Sequence, residues 1–117
     1  MGDLSKNFDR SEFACKCGCG FDTVDHETLG VLQDLRDWFK RKIKITSGCR
    51  CEEYNKKVGG ADKSKHKEGR AADIQVDGID PHEIYEYLNR KYPKKYGLGK
   101  YKTFTHVDTR TDGPARW

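Results

Sequence analysis

The chain lacks any long apolar run. Nowhere in its 117 residues do about 18 apolar residues follow one another, so no transmembrane helix is expected. Its first residues, MGDLSKNFDRSEF, lack the apolar h-region of a secretory signal peptide. Synthesis in a cytoplasm is therefore expected, with any route outward supplied by something else. MGDLSK fits the start of an N-myristoylation pattern, but that pattern is short and common, and nothing else points to a lipidated protein. There is no internal repeat and no low-complexity segment. The cysteine count is odd, at five, so a fully paired disulfide framework within one chain is excluded.

What is present fits one domain over residues 1–117. An irregular, cysteine-rich start covers 1–22 and a core covers 23–110, enough to bury one modest apolar interior. The net charge is +4, from 23 basic and 19 acidic residues. A basic surface suits nucleic acid or an anionic polymer such as a bacterial wall. The densest basic run, Lys40-Arg41-Lys42-Ile43-Lys44, is short and carries no nucleic-acid motif, so it reads as the solvated end of a helix. The cysteines stand as Cys15-x-Cys17-x-Cys19 and Cys49-x-Cys51, not in the C-x2-C spacing of ordinary zinc knuckles. They are either reduced thiols or two clusters that meet in space as a disulfide or a small structural metal site. Such a staple would help a chain with a thin core.

Periodicity places the elements. Thr23 to Lys42 predicts a helix, capped by Thr23 or Asp25, with an apolar stripe through Leu29, Leu32, Leu35, Trp38 and Phe39 and with Val31 beside it. Ile43 to Ser47 alternates like a short strand, and Glu52 to Val58 predicts a short helix broken by Gly59-Gly60. Ala61 to Arg70 is polar and reads as a loop, and Ala71 to Val76 as a strand. Asp80 and Pro81 open a helix to Lys91, with Ile84, Tyr87 and Leu88 as its buried face. Gly97 to Lys102 is expected to lead through a turn into a last strand, roughly Thr103 to Thr109. The expected class is α+β, with a small, mostly antiparallel sheet and flanking helices.

The chemistry concentrates in Ser64-Lys-His66-Lys-Glu-Gly69-Arg-Ala-Ala-Asp73-Ile74. His66 and Asp73 lie seven residues apart across a glycine, so the loop can fold back and aim both at one point. His106 follows on a later strand, with Asp108 on the same face. Two imidazoles and a carboxylate leave a fourth zinc position for water, the catalytic arrangement. Taken singly, each residue also has an ordinary structural reading. A histidine can simply pack, and Asp73 can be a turn residue or an ion-pair partner. Burial of Asp73 between Ala72 and Ile74 nevertheless calls for a cationic partner.

Ser47-Gly-Cys-Arg50, Tyr54-Asn55, Val58-Gly59-Gly60, Ser64-x-His66-x-x-Gly69-x-Ala71-x-Asp73 and His106-Val-Asp108 stand in the order found in the zinc D-Ala-D-Ala carboxypeptidases, which the chain resembles over about residues 27 to 110. That family includes bacterial carboxypeptidases and dipeptidases and phage endolysins. It shares its zinc-site fold with murein endopeptidases, lysostaphin-type enzymes and the hedgehog signalling domain. The compact form with a cysteine-rich start is similar to short domains encoded by phages and prophages. The resemblance implies one catalytic Zn2+ held by His66, Asp73 and His106, and hydrolysis of D-alanyl bonds in peptidoglycan. It implies that Arg50 holds an oxyanion or a substrate carboxylate and that Ser64 helps bind substrate; their structural readings are a surface salt bridge and a turn serine. The expected partner is a peptidoglycan stem peptide, with no nucleic acid and no membrane, and the chain is expected to act as a monomer.

The match departs from the family at the general base. The dipeptidases place an acid three residues before the last zinc histidine, where this chain has Thr103, and lysostaphin-type relatives place a histidine where it has Phe104. Asp108 is the leading candidate base, and its other reading is to orient a ligand or pair with Arg50. Glu68 is a weaker option. A module that binds zinc and wall peptide or a protein partner without cutting, or a virion component built on the same domain, is the alternative of a different class.

Overall fold

Strand alternation divides the chain's side chains between two surfaces of one sheet, and the fold follows from what covers each. The computed structural model describes residues 8–16, 24–60, 64–111 and 114–117. Its elements in chain order are α1 (His26–Phe39), β1 (Ile43–Ser47), α2 (Glu52–Lys57), β2 (Ala71–Val76), α3 (Pro81–Lys91), β3 (Gly97–Lys100), β4 (Thr105–Asp108) and β5 (Ala115–Arg116), with 3-10 turns at Arg10–Phe13 and Lys65–Glu68. Among the described residues the five strands form one sheet in the order β1-β2-β4-β3-β5. All pairings are antiparallel except β3 with β5, so the class is the expected α+β.

Helix α1 starts where Asp25 accepts hydrogen bonds from the backbone N–H groups of Glu27 and Thr28. It ends at Lys40, which takes a left-handed conformation with φ 56°. The helix is thus shorter than the expected span from Thr23 to Lys42, and Thr23 lies outside the described residues. Leu29, Val31, Leu32 and Leu35 are buried as expected, but Trp38 is 65% exposed. Trp38 falls at the edge of the stripe that runs through Leu32, Leu35 and Phe39, and it stacks on Tyr87 with ring centres 5.3 Å apart. In α3, capped by Asp80, the buried face is Ile84, Tyr85 and Leu88, and Tyr87 lies at its margin.

The largest departure from expectation is at the C-terminal end. Gly97 to Lys100 is a paired strand and not a lead-in turn, and β4 is confined to Thr105–Asp108. Gly97-Leu98-Gly99 carries no strand propensity of its own, and pairing on both sides makes it a strand. The edge strand β5 was not expected either. Phe8 and Phe13, in the segment expected to be irregular, are both buried in the core.

One face of the sheet carries Ile43 and Ile45 of β1, Ala72, Ile74 and Val76 of β2, Leu98 of β3 and Val107 of β4. These pack with the apolar stripes of α1 and α3 in one cluster. The opposite parity carries Asp73, Gly97, Gly99, His106 and Asp108.

Candidate metal centre

The ladder between β2 and β4 sets Asp73 directly opposite His106 and Ala71 opposite Asp108. On the other side of β4, Gly97 stands opposite Asp108 and Gly99 opposite His106. A Cβ on Gly97 would lie 2.4 Å from Asp108 Oδ2, and one on Gly99 would lie 2.7 Å from Trp117 Nε1. The two glycines thus give up side chains so that bulky and charged groups can lie over the strand. This Gly-x-Gly opposite His-x-Asp is the signal that sequence reading missed.

His66 arrives from the loop before β2. Ser64 starts the 3-10 turn by accepting from the His66 N–H at 3.2 Å. Gly69 ends it at φ 70°, a conformation that glycine adopts freely. The turn is tied down by Arg50 N–H to His66 O at 2.8 Å and Asp25 N–H to Gly69 O at 2.7 Å. The expected loop from Ala61 to Arg70 is therefore a held segment over its described part.

Asp73 Oδ1 lies 3.3 Å from His66 Nε2 and 2.9 Å from His106 Nδ1. The three donor atoms all lie within 4.8 Å of one another, and all three residues are buried. Each imidazole has its other nitrogen engaged. His66 Nδ1 donates to the Gly48 carbonyl at 2.6 Å, and His106 Nε2 donates to Asp108 Oδ2 at 2.8 Å. These partners assign the tautomers. They leave His66 Nε2 and His106 Nδ1 facing Asp73, the outer hydrogen-bonding pattern of metal-ligating histidines. Two nitrogens and one carboxylate oxygen at these separations fit a zinc ion with an open fourth position.

The electrostatics fit a cation as well. Burial alone would raise the Asp73 carboxyl, but hydrogen bonds from His106 and His66 hold it well below the usual carboxylate range. Burial would lower the His106 imidazole, and the hydrogen bonds to Asp108 and Asp73 overcome it and raise it above the ordinary histidine value. Asp108 is likewise held low, against its burial, by Arg110 and His106. A doubly charged ion held by the three residues would face the anionic Asp73 carboxylate.

The remaining predicted residues take distinct places. Arg50 donates to Asp73 Oδ2 at 3.5 Å, to Asn55 Oδ1 at 3.2 Å and to Ser47 Oγ at 3.2 Å. It is largely buried beside Asp73 and not in a surface salt bridge. Asp108 is fully buried and pairs with Arg110, not Arg50: Arg110 Nε and Nη2 reach its two oxygens at 2.8 and 2.7 Å. Thr103 is exposed, and its carbonyl accepts from Gln75 Nε2 at 2.8 Å. The side chain of Glu68 lies outside those described. His26 and His82 stand at the exposed starts of α1 and α3.

A cleft of about 650 Å³ opens over these groups. Arg50, Gly60, Ser64, Tyr101, Phe104 and Trp117 are among the residues that line it. Tyr101 and Phe104 stack at 4.4 Å, and Trp117 Nε1 donates to Tyr101 Oη at 2.8 Å. The Trp117 ring lies 5.0 Å from that of His106. Sequence reading assigned nothing to Tyr101, Arg110 or Trp117. No helix among the described residues is long and apolar enough to cross a membrane.

A search of curated proteins finds no match to the chain. The model of the family Peptidase M15, in contrast, matches residues 6–108, nearly the whole chain and every residue of the His-Asp-His cluster. The chain belongs to the peptidase M15 family, the zinc D-Ala-D-Ala carboxypeptidase type.

Proposed function

We propose that this peptidase is zinc-dependent and hydrolyses D-alanyl peptide bonds of bacterial peptidoglycan, as a carboxypeptidase or an endolysin-type endopeptidase. The carrying observation is the convergence of His66 Nε2, Asp73 Oδ1 and His106 Nδ1 below an open cleft, each imidazole fixed through its other nitrogen. Bound there, zinc supplies a water with a pKa lowered towards about 7 and polarises the scissile carbonyl. Arg50 is proposed to hold the oxyanion or a terminal carboxylate, since its guanidinium borders the same cleft. Ser64 is proposed to contact the substrate backbone from the cleft wall. Of the two roles considered for Asp108, its full burial and its bonds to His106 and Arg110 favour orienting His106 over accepting a proton from water. The proposed place of action is the cell wall, on a stem peptide and as a monomer, and the compact cysteine-rich form suits a phage or prophage origin.

Thr103, where an acid would serve as base, favours one other reading: a module that binds zinc and wall peptide without cutting. Incubating the protein with peptidoglycan, with and without a chelator, separates the two. Released D-Ala or new amino groups that vanish on chelation and return with zinc are the expected result. Retention on the wall with no new termini supports the binder.

A further inference from the structure

Arg110 is not one of the three residues of the His-Asp-His cluster, yet it decides what Asp108 can do. Two hydrogen bonds reach Asp108 Oδ1, from the Arg110 backbone N–H at 3.2 Å and from Arg110 Nε at 2.8 Å. Two more reach Oδ2, from Arg110 Nη2 at 2.7 Å and from His106 Nε2 at 2.8 Å. An ionised carboxylate has about four acceptor positions, and these bonds fill them. An arginine side chain offers donors alone, in a flat fork. Both Asp108 oxygens must therefore accept, and the His106 nitrogen that meets Oδ2 must donate. The other ring nitrogen, Nδ1, is then the one left to face Asp73 Oδ1 at 2.9 Å.

The neighbouring strand is shaped around this pair. Gly97 stands opposite Asp108 in the ladder, and a Cβ there would lie 2.4 Å from Asp108 Oδ2 and 2.7 Å from Arg110 Nε. The guanidinium also lies over the Trp117 ring, 5.3 Å from its centre, and the Trp117 backbone N–H donates to the Leu98 carbonyl of β3 at 3.1 Å. We propose that Arg110 is a positioning residue of the candidate metal centre. Its fork holds Asp108 as an acceptor, and Asp108 in turn fixes the His106 ring with Nδ1 turned to the cluster. The consequence for metal binding rests on the zinc reading of the cleft. An ion pair that merely braced the fold would serve as well with lysine. A lysine ammonium is a point charge and cannot repeat the two parallel bonds of the fork.

The test compares the wild type with Arg110→Lys, which keeps the charge and removes the fork. In zinc competition assays the affinity should fall about 10–100-fold. In NMR of the histidine ring nitrogens, the His106 Nε2–H should exchange slowly with water in the wild type and rapidly in Arg110→Lys. His66→Ala, which loses the cleft ion but keeps the bond to Asp108, should retain the slow proton, so the signal reports the clamp and not the metal. A folded Arg110→Lys with wild-type affinity, or with a slow Nε2–H, overturns the proposal, as does a wild-type His106 protonated at Nδ1 alone. Should Arg110→Lys fail to fold, Gly97→Ala, which crowds the same pair from β3 and changes no charge, takes its place with the same expectations. Zinc that fails to bind the wild type would sink the cleft reading instead, and the ring-proton comparison would still decide the part of Arg110.

Discussion

The two faces of the sheet are built by opposite rules. The helix-covered face is held by apolar area: Ile74, Leu98 and Val107 are all but inaccessible and pack with Leu32, Leu35 and Leu88. The cleft face buries almost nothing apolar over β2 and β4. It buries His66, Asp73, His106 and Asp108 instead, each with a polar partner. Among the described residues no buried side-chain polar atom is left without a partner. The first face therefore sets stability and the second sets chemistry. A substitution on one face should leave the other's property largely intact.

The largest effect expected from this division is on the cleft face. His66→Ala should abolish metal-dependent hydrolysis and remove the cleft ion. It should leave the far-ultraviolet circular dichroism unchanged, because no apolar contact of the helix-covered face is touched. Loss of the partner to the Gly48 carbonyl costs about 1–3 kcal/mol of stability. Collapse of the secondary structure in this variant would erase the distinction between the faces.

Leu98→Ala provides the converse test. Leu98 is fully buried at the centre of β3. Its truncation should cost about 2–5 kcal/mol, a large part of the stability of a small domain. In conditions where the variant remains folded, zinc affinity should match the wild type. Urea melts followed by fluorescence, with metal titrations below the transition, give both quantities.

Asp108→Asn probes the seam between the faces. The residue is fully buried, yet its partners are His106 of the candidate metal cluster and Arg110. If it orients His106, zinc affinity should fall about 10–100-fold. If it takes the proton from water, zinc should bind as in the wild type and kcat should fall about 10²–10⁴-fold. Zinc competition assays beside steady-state rates distinguish the two, and the first outcome is expected.

The same contrast explains what could be read from the sequence. Apolar periodicity and caps gave β1, β2 and α3 with the bounds observed, because those segments obey local rules: alternation in Ile43–Ser47, and Asp80-Pro81 before an apolar stripe. β3 escaped because its two glycines are there for its neighbours, the Asp108–Arg110 pair and Trp117, and not for the strand itself. The burial of Phe8 and Phe13 escaped because a 3-10 turn has no long period to recognise. His66, Asp73 and His106 were legible as a spaced triad, and the ladder register now explains why that spacing converges. Arg110 was not legible, since nothing local separates an arginine that clamps a buried carboxylate from one in solvent.

Trp38 is where the smallest effect is expected, and it tests how far the helix-covered face extends. Its ring is 65% exposed and touches the fold through its stack on Tyr87, which Phe39 meets edge-on at 5.4 Å. Aromatic pairs of this kind contribute about 0.5–1.5 kcal/mol. Trp38→Ala should therefore lower the melting temperature by only a few degrees, and Trp38→Tyr, which keeps a ring over Tyr87, should recover most of the loss. Hydrolysis and zinc affinity should not move in either variant, because α1 lies across the sheet from the cleft. A Trp38→Ala loss as large as that of Leu98→Ala would mean that the apolar face continues past its buried stripe into the Trp38–Tyr87 pair. A change in hydrolysis without a change in stability would mean that the wall polymer reaches round the molecule to this ring.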